Sequence, residues 1–170
     1  MSETRDVRVE FRDLDLLAEV VKAMGGKVLG EGTHDLYATA EQGWGFTLPS
    51  WTFPLVLRAD GNLRYDDYHG KWGDILDLDR IGSEYAMRKA ERTAQGLGYY
   101  CERVSTALKV LHPGGQEIWV FPDGRVEAVG FNGVGCDEAC ATFANALGGT
   151  VETRHKAEFY NAQQNIILNE

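Results

Sequence analysis

Two cysteines four residues apart, Cys136 and Cys140, are the side chains best placed for thiol chemistry in this sequence. Glycines at 130–135 precede them, so Cys136 is expected at a helix N-terminus, where the dipole lowers a thiol pKa. The same spacing also indicates packing, because Cys136, Cys140, Phe143 and Leu147 fall on one helical face, where cysteine acts as a small hydrophobic residue. A thiol site and a packed face both remain open. The glycine order G-x-x-G-x-G matches neither a dinucleotide fingerprint nor a P-loop.

A second group of reactive side chains lies in the segment DDYHGKWGDILDLD, residues 66–79. Asp66, Asp67 and His69 supply carboxylates and an imidazole, which together can bind a divalent metal. Their spacing does not follow the EF-hand pattern. The alternative is a hairpin end that leads into an acid-rich first helical turn, which the helix dipole favours.

A third segment, WGFTLPSWTFP at residues 44–54, is unusually rich in aromatic residues and proline. Buried aromatic residues would build a core, whereas exposed ones would form a patch of the kind that anchors protein interfaces. We therefore predict Trp44, Trp51 and Phe53 as partner-binding residues, with a core position as the alternative.

Signatures of catalysis are missing from the sequence. It contains no nucleophile elbow, no H-E-x-x-H motif and no recognisable triad. We assign no catalytic residue and expect no cofactor, although residues far apart in the chain can still converge in space. Whether the protein is an enzyme stays open, with the balance against it.

Charge and composition narrow the classes of partner. The 170 residues carry a formal net charge of -9 and are 44% hydrophobic. Nucleic-acid binding needs cations that displace phosphate counterions, so we expect no nucleic-acid partner. Three cysteines do not suggest a disulfide framework, and no apolar run is long enough for a membrane helix. We expect a cytoplasmic protein whose partner is another protein or a second copy of itself.

Hydrophobic periodicity and turn residues outline the secondary structure. Alternation indicates strands, an apolar stripe behind Asp13 indicates a helix, and Asp-Gly pairs indicate tight turns. We predict strands at 7–11 and 99–111, helices beginning after Asp13, over 75–95 and over 136–147, and hairpins turned at Asp60-Gly61 and Pro122-Asp123-Gly124.

These elements predict an α+β protein. We expect an antiparallel sheet with helices on one face, built from two units of the ferredoxin-like or ββαβ type. The first unit would cover residues 1–112 and the second, a ββαβ unit, residues 113–170, packed as one body. The near-identical junctions AMGGKV and ALGGTV allow an internal duplication, although connections between helices and strands favour glycine in any case.

The phrases VEFRDLDLLAEVVKAMGG, RADGNLRYDDYHGKWGD and EYAMRKAERTAQGLGYYCERV give residues 7–110 a family likeness. They resemble an uncharacterised open-reading-frame family of red-algal chloroplasts, cyanobacteria and other bacteria. That family implies no established activity or cofactor. Its members tend to occur beside an AAA-type ATPase, so the resemblance implies such an ATPase as a partner. The aromatic segment at 44–54 has no counterpart in the family.

Residues 114–160 resemble a small bacterial domain of unknown function that often occurs beside that family. The likeness rests on a short motif ahead of a helix, made here by Asp123, Gly124, Val126, Gly130, Phe131, Gly133 and Cys136. Cys140 has no counterpart in it, which weakens a two-thiol site. The chain therefore resembles a fusion of the two families.

Three hypotheses of function follow. The leading one is a non-enzymatic protein-interaction module, an adaptor or a subunit of a larger assembly. The second is a metal- or thiol-dependent enzyme or sensor that uses the residues at 66–69 or the cysteines. The third is a self-assembling structural component, such as a shell, filament or virion protein, whose exposed sheet edges pair between copies.

Overall fold

The computed structural model describes residues 2–7, 10–131, 134–148 and 151–155. Within these residues, three helices and ten strands follow one another along the chain. They are β1 (Ser2–Val7), α1 (Leu14–Ala23), β2 (Lys27–Asp35), β3 (Ala40–Thr47), β4 (Leu55–Leu57), β5 (Leu63–Arg64), α2 (Leu76–Gly96), β6 (Tyr100–Val104), β7 (Ala107–Leu111), β8 (Glu117–Val120), β9 (Val126–Val129), α3 (Val134–Leu147) and β10 (Val151–His155). The strands form a six-stranded sheet, β10-β1-β9-β8-β7-β6, and a four-stranded sheet, β2-β3-β4-β5. Every pairing is antiparallel, which confirms the predicted α+β class.

The chain divides into two compact units. One consists of Phe11–Ile81 and holds the four-stranded sheet; we call it the four-stranded unit. The other consists of Met1–Glu10 with Gly82–Glu170 and holds the six-stranded sheet; we call it the six-stranded unit. The division between residues 112 and 113 that sequence resemblance suggested stays a prediction. In the structure it falls between β7 and β8, which are neighbours in one sheet.

The core of the six-stranded unit lies between one face of the sheet and helices α2 and α3. Strand register aligns Leu108 with Val120 and Val120 with Val126, so apolar side chains form rows across neighbouring strands. Helix α2 brings alanines at four-residue spacing to this face, and small side chains let the helix approach the sheet closely. The buried cluster comprises Ala86, Met87, Ala90, Ala94, Leu108, Val110, Ile118, Val120, Val126, Ala128, Phe131, Cys140, Phe143, Ala144 and Leu147.

Ion pairs join α2 to the edge strand β6. Both terminal nitrogens of the Arg103 guanidinium donate to Glu84, at 3.2 and 3.3 Å, and its Nε donates to Glu91. Arg88 donates to Glu84 at 2.9 Å from the next turn of the helix. Burial alone would raise the pKa of Glu84, but the hydrogen bonds and charges of Arg103 and Arg88 hold it below its ordinary value. The edge strand is therefore tied to the helix by charge as well as by packing.

In the four-stranded unit, Asp13 begins α1 as predicted, because its side chain accepts a hydrogen bond from the Leu16 amide at 3.1 Å. The buried face of α1 consists of Leu16, Leu17, Val20 and Val21, all 0% exposed.

Both predicted hairpins are present. Gly61 donates to the Arg58 carbonyl at 3.0 Å in the turn between β4 and β5. Gly124 donates to the Phe121 carbonyl at 2.9 Å in the turn between β8 and β9. These Asp-Gly turns set the register of both strand pairs.

Two strand predictions were wrong. Residues 99–111 form a hairpin, β6 and β7, and not one bent strand. Ser105 turns the chain with a left-handed φ of 56°, a conformation that its residue type does not signal. The first strand lies at Ser2–Val7, so only Val7 of the predicted strand 7–11 is in it and residues 10 and 11 are in no strand, whereas residues 8 and 9 lie outside the described residues. Among the described residues, no helix is both long and apolar enough to cross a membrane.

Candidate functional site

A tight turn in the four-stranded unit displays the side chains of the segment that sequence analysis singled out for metal binding. Trp72 donates its amide to the Asp67 carbonyl at 2.9 Å, and Lys71 donates to the Tyr68 carbonyl at 3.1 Å. Between them, Tyr68, His69 and Gly70 are all left-handed, with φ of 43°, 55° and 86°. Only glycine adopts this conformation without cost, so two strained residues fix the direction of the Tyr68 side chain.

Three aromatic rings meet around Trp72. Tyr68 stacks on the indole with ring centroids 4.6 Å apart, and Tyr37 lies 4.8 Å away on a tilted plane. Phe53 meets the same indole edge-to-face at 5.2 Å. The Lys71 ammonium lies 5.1 Å from the Tyr68 ring centroid, within range of a cation–π contact. We call Tyr37, Phe53, Tyr68 and Trp72 the aromatic cluster.

The two tyrosines of this cluster face solvent. Tyr37 is 67% exposed and Tyr68 is 48% exposed, whereas Phe53 and Trp72 are half-buried. Neither tyrosine hydroxyl, nor the Trp72 ring N–H, has a hydrogen-bond partner within the part of the chain that the structure describes. The cluster thus presents apolar ring faces together with three open donors.

A buried tryptophan, Trp51, lies beside the backbone that carries Trp72. Trp51 is 7% exposed, donates its ring N–H to Asp77 at 3.1 Å and meets Tyr65 edge-to-face. The next residue, Thr52, donates its amide to the Trp72 carbonyl at 2.8 Å. The ring of Trp51 and the amide of Thr52 are therefore both held by hydrogen bonds, and the second of these bonds fixes the backbone of Trp72.

Of the three residues predicted to bind a partner, only Phe53 belongs to the aromatic cluster. Trp44 and Trp51 are each 7% exposed and lie in the core, the alternative that the sequence left open. Replacing either by alanine would remove core packing, so it could not test partner binding alone. Whether Phe53 binds a partner stays a prediction.

The remaining predicted ligands do not converge. In the described ranges, no three His, Cys, Asp or Glu side chains gather in a way that could hold a metal, so Asp66, Asp67 and His69 gain no geometric support as ligands. Cys140 is 0% exposed within the core of the six-stranded unit, as the packing interpretation predicted. Cys136 lies in α3, but its side chain is outside the described part, so the thiol prediction for it remains untested.

Sequence reasoning missed three of the four cluster residues: Tyr37, Tyr68 and Trp72. Tyr68 and Trp72 stood within the segment chosen for its carboxylates, and the signal was the alternation of ring and basic residues in YHGKW. Tyr37 lies 35 positions before Trp72, and no local pattern joins them.

Comparison with known proteins finds a family model that matches residues 117–160. No curated protein and no solved structure matches the chain. The match begins at Glu117, the first residue of β8, and its described part contains β8, β9, α3 and β10, a ββαβ order. This agrees with the predicted likeness of the C-terminal part to a small domain of unknown function, whereas nothing confirms a fusion with the chloroplast and cyanobacterial family. Residues 117–160 carry a domain of the protein family of unknown function DUF2997.

Proposed function

We propose that this protein is a non-enzymatic protein-interaction module, and that its aromatic cluster docks an extended, proline-rich segment of a partner protein. The observation that carries the proposal is the pair of exposed tyrosines, Tyr37 and Tyr68, packed on Trp72 with their hydrogen-bond donors open.

The rings of the cluster are ordered before a partner arrives. Tyr68 is held by the left-handed turn and by stacking on Trp72, and Tyr37 packs on the same indole. Rigid aromatic side chains give a large contact area at a low cost in conformational entropy, which is why they are enriched at interfaces. The cluster is therefore suited to a rigid apolar partner.

The open donors select the kind of segment. A proline-rich segment forms a polyproline II helix, whose carbonyl oxygens are free and whose proline nitrogens carry no hydrogen. The cluster offers the complement, since the Tyr37 and Tyr68 hydroxyls and the Trp72 N–H can all donate to carbonyls. Aromatic-lined surfaces recognise proline-rich segments in this way.

We expect the occupant to come from another protein. The chain has four prolines, Pro49, Pro54, Pro113 and Pro122, and none is adjacent to another. It therefore has no proline-rich segment of its own to offer. An AAA-type ATPase, the partner that the family resemblance implies, is the first full-length protein to search for such a segment.

The test is a titration of the full chain with an oligoproline peptide, followed by the indole N–H resonances in NMR spectra. We expect the Trp72 signal to shift. The Trp119 signal serves as an internal control, because its N–H already donates to Glu117 at 2.9 Å in the other unit.

Variants make the test specific. Each aromatic contact adds about 0.5–1.5 kcal/mol beyond area burial, so Tyr37→Ala and Tyr68→Ala should each weaken binding by about two- to tenfold. Tyr100→Ala is the matched control, since Tyr100 is a 62% exposed tyrosine of the six-stranded unit. The proposal fails if Trp72 does not respond to millimolar peptide, if a glycine–serine peptide gives the same shift, or if Tyr100→Ala weakens binding as much.

A further inference from the structure

The six-stranded unit contains a cavity of about 360 Å³ beside α3. The segment after α2, the turn between β7 and β8, and helix α3 all contribute to its wall. The wall includes Tyr99, His112, Gln116, Phe131, Glu138 and Ala139. Small-molecule sites occupy about 300–1,000 Å³, so this cavity lies at the lower end of that range.

The turn between β7 and β8 orients His112 in the cavity wall. Nδ1 of His112 lies 3.2 Å from Oε1 of Gln116, and the Gly114 amide approaches the same nitrogen at 3.4 Å. A side chain on Gly114 would collide with Gln116, so the glycine allows this arrangement. Nε2 of His112 is left without a partner among the described residues. Nδ1 cannot both donate to Gln116 and accept from the Gly114 amide. In the tautomer whose Nδ1–H donates to Gln116, the shorter of the two contacts, Nε2 offers a lone pair to a ligand.

Two aromatic rings contact this histidine. Tyr99 meets the imidazole edge-to-face at 5.3 Å and Phe131 does so at 5.0 Å. Phe131 is 6% exposed, so its ring is fixed by the core. The rings give the cavity apolar walls that suit a flat ligand, and their faces attract a cation.

The charges around the cavity favour a positively charged ligand. Glu138 is the one acidic side chain among the described residues that line the cavity, and no lysine or arginine is among them. The hydroxyl of Thr142, also in the wall, donates to the Glu138 carbonyl at 3.3 Å, which leaves its oxygen as an acceptor. The whole chain carries a net charge of -9, which repels anions and attracts cations.

We infer that this cavity binds a small organic cation built on an aromatic ring, with its ring packed against Tyr99 and Phe131 in the cavity wall and the cationic N–H groups directed to Glu138 and His112. This inference is independent of the proposed docking at the aromatic cluster, which lies in the other unit.

Three small probes of similar shape test the inference: 2-phenylethylammonium, 2-phenylethanol and 3-phenylpropanoate. They share a phenyl ring and differ in charge. Binding to the full chain is measured by NMR titration, followed at the His112 ring signals. We expect the cation to bind tightest, the alcohol more weakly and the anion weakest.

Two variants locate the site. Glu138→Gln removes the charge at an exposed position, and exposed ion pairs contribute little, so we expect the preference for the cation over the alcohol to fall by about two- to fivefold. Ala139→Leu places extra volume in the cavity wall and should weaken all three probes. Glu31→Gln, which makes the same charge change at an exposed position of the four-stranded unit, should leave the preference unchanged.

Each opposite result overturns the inference. If the cation does not bind at millimolar concentration, the cavity is not a binding site for it. If the anion binds as tightly as the cation or more tightly, the inferred ligand class is wrong. An unchanged preference in Glu138→Gln would also do so, and this variant keeps the backbone and side-chain shape if Ala139→Leu fails to fold. A loss of oligoproline binding has no bearing on these results, so the two proposals can fail separately.

Discussion

Gly73 is the position where the smallest substitution should have the largest effect on the aromatic cluster. A Cβ atom added to Gly73 would lie 2.5 Å from Cε2 of Trp51 and closer still to two other ring atoms. The indole cannot move away freely, because its N–H donates to Asp77 and its ring packs on Tyr65. Overpacking of a core costs about 1–3 kcal/mol, so we expect Gly73→Ala to lower the free energy of unfolding by that amount.

The matched control is Gly82→Ala. Gly82 lies inside α2 and a Cβ there would meet no atom within 4 Å. Removing a glycine from a helix interior stabilises it by about 0.5–1 kcal/mol, so the same substitution should have the opposite sign. The comparison separates the contact with Trp51 from any general effect of alanine.

Urea unfolding of Gly73→Ala would be followed by tryptophan fluorescence in a Trp119→Phe background, and that of Gly82→Ala, which lies in the six-stranded unit, by far-UV circular dichroism. The other three tryptophans, Trp44, Trp51 and Trp72, then all report on the four-stranded unit. A Gly73→Ala protein as stable as its parent would show that the packing around Trp51 is wrong. Where the variant folds, weaker oligoproline binding is also expected, because Gly73 follows Trp72 directly in the chain.

Three further substitutions or modifications test other parts of the structure. Ser105→Gly should stabilise the six-stranded unit by up to about 1 kcal/mol in urea unfolding, because it relieves a left-handed φ at the β6–β7 turn; a loss of stability would contradict this. Burial alone would raise the pKa of Glu84, but hydrogen bonds from Arg103 help to lower it. The Glu84 carboxylate therefore stabilises the fold above the ordinary carboxyl pKa, and this stabilisation is lost as the pH falls through the lowered pKa. Glu84→Gln should therefore cost up to about 1 kcal/mol near neutral pH and nothing in acid, measured by unfolding at both. Iodoacetamide should leave Cys140 unmodified until the protein unfolds, and it should label Cys101 slowly, because burial and Glu91 raise the pKa of that thiol; rapid native labelling of Cys140 in peptide maps would refute its burial.

Local chemistry in the sequence predicted much of the secondary structure. The Asp60-Gly61 and Asp123-Gly124 turns, the cap at Asp13 and the long α2 helix all depend on residues that are close in sequence. The turn at Ser105 escaped prediction because serine carries no signal for a left-handed conformation. The sequence did not determine whether Trp44 is buried or exposed, because a strand with one buried face alternates buried and exposed residues. Here residues 43–46 are all buried.

The candidate site was less predictable than the fold because it depends on distant contacts. Tyr37 reaches Trp72 only through the folding of the four-stranded unit, and the Trp72 carbonyl accepts a hydrogen bond from the distant Thr52 amide. The carboxylates and the imidazole of residues 66–69 drew attention to the correct segment for a different reason. The carboxylates and the imidazole indicated the position of the turn, whereas the rings of Tyr68 and Trp72 form its exposed surface.

The position of β1 in the six-stranded sheet has a consequence for folding during synthesis. Strand β1 lies between β9 and β10, and its Arg5 is in register with Val126, 121 residues later in the chain (126 − 5). At about 5–20 residues per second, a ribosome needs about 6–24 s to make that interval. The four-stranded unit is contiguous and can complete its contacts during this time, whereas β1 keeps an unpaired backbone. The synthesis of β9 and β10 therefore determines when β1, which is made much earlier, can pair with its neighbours.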